Sequence, residues 1–71
     1  MNTMEYKGQI IQAVTQRTLD GWMAMGRIRH PVGNSLAHRL FFPPEMRLFA
    51  TAAEAQAYAF ELGKHVIDAQ G

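Results

Sequence analysis

Residues 49–71 read FATAAEAQAYAFELGKHVIDAQG, and this stretch carries the long helical pattern of the chain. Thr51-Ala52-Ala53-Glu54 has the form of a capping box, in which the threonine oxygen accepts from a free amide of the first turn and the glutamate reaches back. The pattern predicts a helix over about residues 52–69. At 100° per residue, Ala52, Ala55, Ala59, Leu62, Gly63, Val66 and Ile67 fall on one side, flanked by Tyr58 and Phe60, while Glu54, Ala57, Glu61, Lys64, His65 and Asp68 fall on the other. Alanine and Gly63 dominate the apolar stripe, so the helix can lie close against a partner surface. Everything before it reads as short strands that need such a surface.

Working back from the helix, Met46 to Phe49 suits a short extended segment at about residues 46–49, and Pro43-Pro44 ends a strand at about residues 36–42. In that strand Leu36, His38, Leu40 and Phe42 share one face, with Ala37, Arg39 and Phe41 on the other. A second strand at about residues 21–30 puts Trp22, Ala24, Gly26 and Ile28 on one face and Met23, Met25, Arg27 and Arg29 on the opposite one. Pro31 should stop it, and Gly33-Asn34 should turn the chain. A first strand at about residues 6–14 contains both Ile10 and Ile11, which leaves its register open. Asp20-Gly21 marks a hairpin turn behind it. Residues 1–5 show no pattern and are expected to fray. The expected fold is α+β, an antiparallel three-stranded sheet packed against one C-terminal helix.

Length and composition narrow the classes available. With 71 residues the chain makes one small domain, and such a domain buries only about 60% of the surface its unfolded form exposes. It contains no cysteine, which excludes disulfides and thiolate metal sites. The cytoplasm is the expected compartment. No apolar run approaches the roughly 18 residues of a membrane span, so no membrane partner is expected. The net charge of +1 conceals an asymmetry. Lys7, Arg17, Arg27, Arg29, Arg39 and Arg47 lie in the strand region against Asp20 and Glu45, whereas the helix has Glu54, Glu61 and Asp68 against Lys64.

Four features together carry a resemblance. Tyr6-Lys7-Gly8 opens the first strand, Gly21-Trp22 opens the second, Phe49-Ala50-Thr51-Ala52-Ala53-Glu54-Ala55 enters the helix, and Gly63 with Ile67-Asp68 closes it. The chain resembles a group of short, uncharacterised bacterial proteins with a β-β-β-α arrangement. The resemblance implies the fold and brings no activity with it. The entry to the helix is also similar to that of other three-strand-plus-helix domains, including the arm-type DNA-binding domains of tyrosine recombinases, which come attached to a catalytic domain.

No catalytic constellation stands out. His30, His38 and His65 are scattered, with no second ligand at a metal-site spacing, so neither a metal nor another cofactor is expected. Glu61 and His65 are four apart on the polar helix face, the spacing of a solvated surface contact. Ser35 has no base beside it, and no glycine-rich loop precedes the helix. An enzyme is not expected, nor a small-molecule substrate. If Trp22, Ile28, Leu36, Leu40 and Phe42 face the helix, then Met23, Met25, Arg27, Arg29, Arg39 and Phe41 form the open face, joined by either Ile10 or Ile11. Two partner readings of that face follow, beside a third in which the arginine stems cover the methionines and no partner exists. One is self-association, most simply as a homodimer that buries the methionines and Phe41. The other is nucleic-acid binding, with the arginines on phosphates and Phe41 stacked on a base.

Overall fold

The computed structural model describes residues 2–70. In chain order these form β1 (Thr3–Tyr6), β2 (Gln9–Thr18), β3 (Gly21–Val32), β4 (Ser35–Phe41), β5 (Leu48–Phe49) and α1 (Ala52–Ala69). The strands make one antiparallel sheet ordered β1-β2-β3-β4, with β5 also paired to β3. One C-terminal helix packs on it. The expected α+β architecture is present, with five strands rather than three.

The helix starts where its cap dictates. Thr51 is extended, and its Oγ1 accepts from the Glu54 amide at 3.1 Å and donates to Glu54 Oε1 at 3.3 Å. Ala55, Ala59, Gly63 and Ile67 are buried at intervals of four residues, which makes them one stripe. That stripe lies across β2 and β3 and reaches β5. A Cβ on Gly63 would stand 2.7 Å from Ile11 Cγ2 and 3.2 Å from Phe41 Cζ, so the close crossing requires glycine there. Half of the core is aliphatic and aromatic, with Ile11, Ile28, Phe41 and Ile67 in contact. The other half is alanine, with Ala13, Ala24, Ala55 and Ala59 under Trp22, Phe49 and Tyr58.

At the N-terminal end two strands stand where alternation suggested one. Thr3–Tyr6 is not frayed; it pairs with β2 through a turn at Lys7-Gly8. Met1 lies outside the described residues. Both turn residues have positive φ, 51° at Lys7 and 78° at Gly8, the pattern of a type I′ turn. Lysine is not a residue that announces such a turn, which is why the sequence pattern passes through it. β2 then continues to Thr18, and Leu19-Asp20 forms the loop before Gly21. The register sets Ile11 opposite Ile28, so Ile11 enters the core and Ile10 goes to the open face.

Pro31 does not stop β3, which runs on to Val32. The reason lies in the pairing. Val32 closes the two-residue Gly33-Asn34 loop opposite Ser35, so its peptide groups point at β4 and those of Pro31 point the other way. On that side β2 already ends, its last pair being Ile10 with Arg29. The missing N–H of Pro31 therefore falls on a free edge, where it costs no ladder bond.

The same loop corrects the faces of β4. Counting out from Gly33-Asn34 sets Leu36 opposite Pro31, Leu40 opposite Arg27 and Phe41 opposite Gly26. Residues directly opposite share a face, so Leu36, His38 and Leu40 lie on the open face instead of facing the helix. Phe41 turns into the core at 5% exposure, and Arg39 sits opposite Ile28 on the helix side, beyond the reach of α1.

Candidate functional site

The face that α1 leaves uncovered is built from alternate residues of neighbouring strands. Across its middle, Val14 pairs with Met25, Gln12 with Arg27 and Arg27 with Leu40. One step further, Ile10 pairs with Arg29 and Arg29 with His38. Each arginine thus lies between strand neighbours with its stem along the sheet. The Arg29 Nε is buried and has no hydrogen-bond partner among the described residues. Long stems of this kind cover part of an apolar surface but not all of it. Leu36, Leu40 and Phe42 remain 57%, 60% and 62% exposed. Ile10 at 36% and Leu48 at 38% extend the patch to either side.

Of the six residues expected on this face, Met23, Met25, Arg27 and Arg29 are brought together there, and Arg39 and Phe41 are not. Sequence reasoning missed Leu36, Leu40 and Phe42. The signal that places them is the parity of a two-residue loop, because residues whose numbers sum to that of the loop pair share a face. Gly26 gives a second signal. A glycine at the centre of a strand's core face leaves a hole, and an aromatic ring directly across from it fills that hole. A Cβ on Gly26 would come within 2.7 Å of Phe41 Cε2 and 2.8 Å of the Gln12 carbonyl oxygen.

Along the outer edge of β3, neither β4 nor β5 pairs with Ala24 or Met25. Continuing the Gly26 and Phe41 register would set Pro43 opposite Ala24, and Pro43 has no N–H to donate. The ladder stops there and residues 42–47 bow outward. Beneath them is a pocket of about 180 Å³ lined by Met23, Ala24, Met25, Phe42, Pro43, Glu45, Met46 and Arg47. The Arg47 guanidinium lies 5.2 Å from the Phe49 ring centre and 5.6 Å from that of Tyr58, which ties this loop to the helix side.

Polar chemistry elsewhere is superficial. Lys7 Nζ donates to Asp68 Oδ1 at 2.6 Å, and the Tyr6 hydroxyl donates to both Asp68 oxygens at 3.1 Å. The hydrogen bond from Lys7 holds the Asp68 carboxyl below its ordinary value, and the same bond raises the Lys7 amine. Both groups are in solvent, so they clasp the first turn to the end of α1. Glu61 pairs with Lys64 at 3.6 Å. Among the described residues no three of His, Asp or Glu converge to hold a metal ion, and no helix is long and apolar enough to cross a membrane. What the structure presents is a broad sheet face of mixed apolar and polar residues, with Glu5, Gln12, Gln16 and His38 among the leucines and methionines, two arginines at its centre and an apolar pocket at one end. Comparison with protein-family models, with curated proteins and with solved structures gave no match.

Proposed function

We propose that this chain is a small non-enzymatic interaction module of the cytoplasm that self-associates, as a homodimer, through the open face of its sheet. The observation that carries the reading is the position of Leu36, Leu40 and Phe42, each more than half exposed, on the same face as Met23 and Met25. Exposed apolar side chains gathered on one face of a small domain are the ordinary mark of a partner site. The molecule measures 42 × 23 × 15 Å, so its broad face has room for the ~800 Å² a side of a standard interface. Methionine and arginine are both enriched at protein interfaces. Association also adds burial to a core that is half alanine.

Nucleic-acid binding through the arginines is the second reading. With Arg39 and Phe41 off the face, two arginines remain and Phe42 takes the place of Phe41 as the exposed aromatic, while Leu36 and Leu40 have joined. That balance favours a protein partner. Sedimentation equilibrium at micromolar concentration tests the choice: the wild-type chain should be dimeric and Phe42→Glu monomeric. A wild-type chain that stays monomeric throughout would sink the proposal. Binding to a labelled oligonucleotide that fades steeply with salt and disappears in R27E/R29E would move the assignment to nucleic acid.

A further inference from the structure

Three of the chain's five methionines, Met23, Met25 and Met46, border the pocket at the end of the open face. None of the three packs against either half of the core, whereas Met4 does. Met23 and Met25 stand two apart on β3, so both side chains rise on the open face, about 7 Å apart at ~3.4 Å per residue. Met46 comes from the bowed segment beside them and is 79% exposed, so burial in its own chain does little to explain it. The pocket, at about 180 Å³, is well below the ~300–1,000 Å³ of small-molecule sites. Methionine stems have three rotatable bonds, so three thioethers around such a volume can close on a guest as small as an ion. The chain has no cysteine, which makes the thioether its softest donor. Of the charged residues on the rim, Arg47 has its guanidinium against the Phe49 and Tyr58 rings on the helix side, and Glu45 brings a carboxylate.

We infer that Met23, Met25 and Met46 form a binding site for a soft monovalent metal ion, copper(I), held by their three Sδ atoms. Thioether sulfur selects copper(I), while carboxylate and carbonyl oxygen suit the hard divalent ions. The donors are also uncharged, and the cost of taking an ion out of water rises steeply with its charge. Neutral sulfur therefore suits a singly charged ion and fails for zinc(II). Among the described residues no three of His, Asp or Glu converge, so a borderline or hard ion finds no rival site of that kind. All three sulfurs belong to one chain, so the site goes beyond self-association and does not depend on it.

Silver(I) in chloride-free buffer is the probe, since it shares the charge and softness of copper(I) and stays in one oxidation state. Native mass spectrometry should find one silver ion per chain. The Cε methyl resonances of Met23, Met25 and Met46 should shift together, and that of Met4 should stay in place. Leucine conserves the volume and apolarity of methionine, so M25L and M46L keep the fold, which circular dichroism checks. Each should weaken silver binding at least about tenfold by calorimetry, because each removes one sulfur, while M4L should bind as the wild type does. Copper(I) kept reduced by ascorbate should displace the silver, and an excess of zinc(II) should not. M25L and M46L chains that bind as tightly as the wild type overturn the site. So does silver that moves histidine ring resonances and leaves the methionine methyls unmoved, or that zinc(II) displaces. Those results leave self-association standing, whereas a wild type that holds silver on the three methionines yet stays monomeric overturns self-association alone.

Discussion

Phe41 fills space that two glycines leave open, one beneath it in β3 and one above it in α1. Its ring lies against Gly26, and its Cζ would be 3.2 Å from a Cβ on Gly63. Phe42, the next residue, points to the opposite face and is 62% exposed. These neighbours should therefore respond very differently to truncation. Phe41→Ala should cost about 3–5 kcal/mol, because it leaves a cavity over the bared backbone of Gly26 and beside Gly63. Phe42→Ala should shift the stability of the dilute monomer by no more than about 0.5 kcal/mol. Urea unfolding at low protein concentration measures both. Comparable losses in the two variants would contradict the face assignment of β4. The contrast was hidden in the sequence, where Phe41 and Phe42 are equivalent as hydrophobic residues and only their strand parity separates them.

At the scale of elements, α1 was legible from end to end because its cap, stripe and length are local signals that agree. The strands were legible as extended segments, but their faces were not. A face depends on pairing, and pairing depends on the loop: the Gly33-Asn34 turn fixes β4 to one register, and the Lys7-Gly8 turn divides what looked like one strand. Lys7 holds a positive φ that lysine seldom adopts, and its amine is tied to Asp68 beside the Tyr6 hydroxyl. The contact joins the β1–β2 turn to the last turn of α1, so its titration should report on both elements. Asp68 is held below its ordinary value, so its contribution is complete above about pH 3.9 and disappears as the pH falls through the depressed value. Lys7 is raised, so its share persists up to about pH 10.4 and is lost only as the pH rises through the raised value. The thermal midpoint of Asp68→Asn should lie slightly below that of the wild type across the neutral range, with the two curves converging in strong acid. Parallel curves down to the lowest pH would show that the clasp does not couple the turn to the helix.

For the whole molecule, the decisive asymmetry is that one helix serves a two-faced sheet. The side under α1 has alanine, Gly63 and Ile67 pressed against it, whereas the other side has leucine, phenylalanine and methionine set among arginine, glutamine and histidine side chains and no second layer over them. The strand alternation alone showed that such a side must exist, since a period-two strand always has a second face. Which residues occupy it required the register, and the pocket at its end required knowing that β4 stops at Phe41, short of Pro43. If a second copy supplies the missing cover, folding and association are linked, and stability must depend on how much protein is present. Each tenfold rise in concentration adds up to about 1.4 kcal/mol per dimer, or half of that per chain. For a domain of this size that corresponds to a rise in thermal midpoint of roughly 3–5 °C. Phe42→Glu should abolish the dependence while retaining the midpoint of the dilute wild type, because its side chain lies outside the monomer core. Calorimetry across a hundredfold range of concentration would measure it. A midpoint that stays fixed in the wild type would mean that the open face contributes nothing through a second copy, and the arginines at its centre would then need another partner.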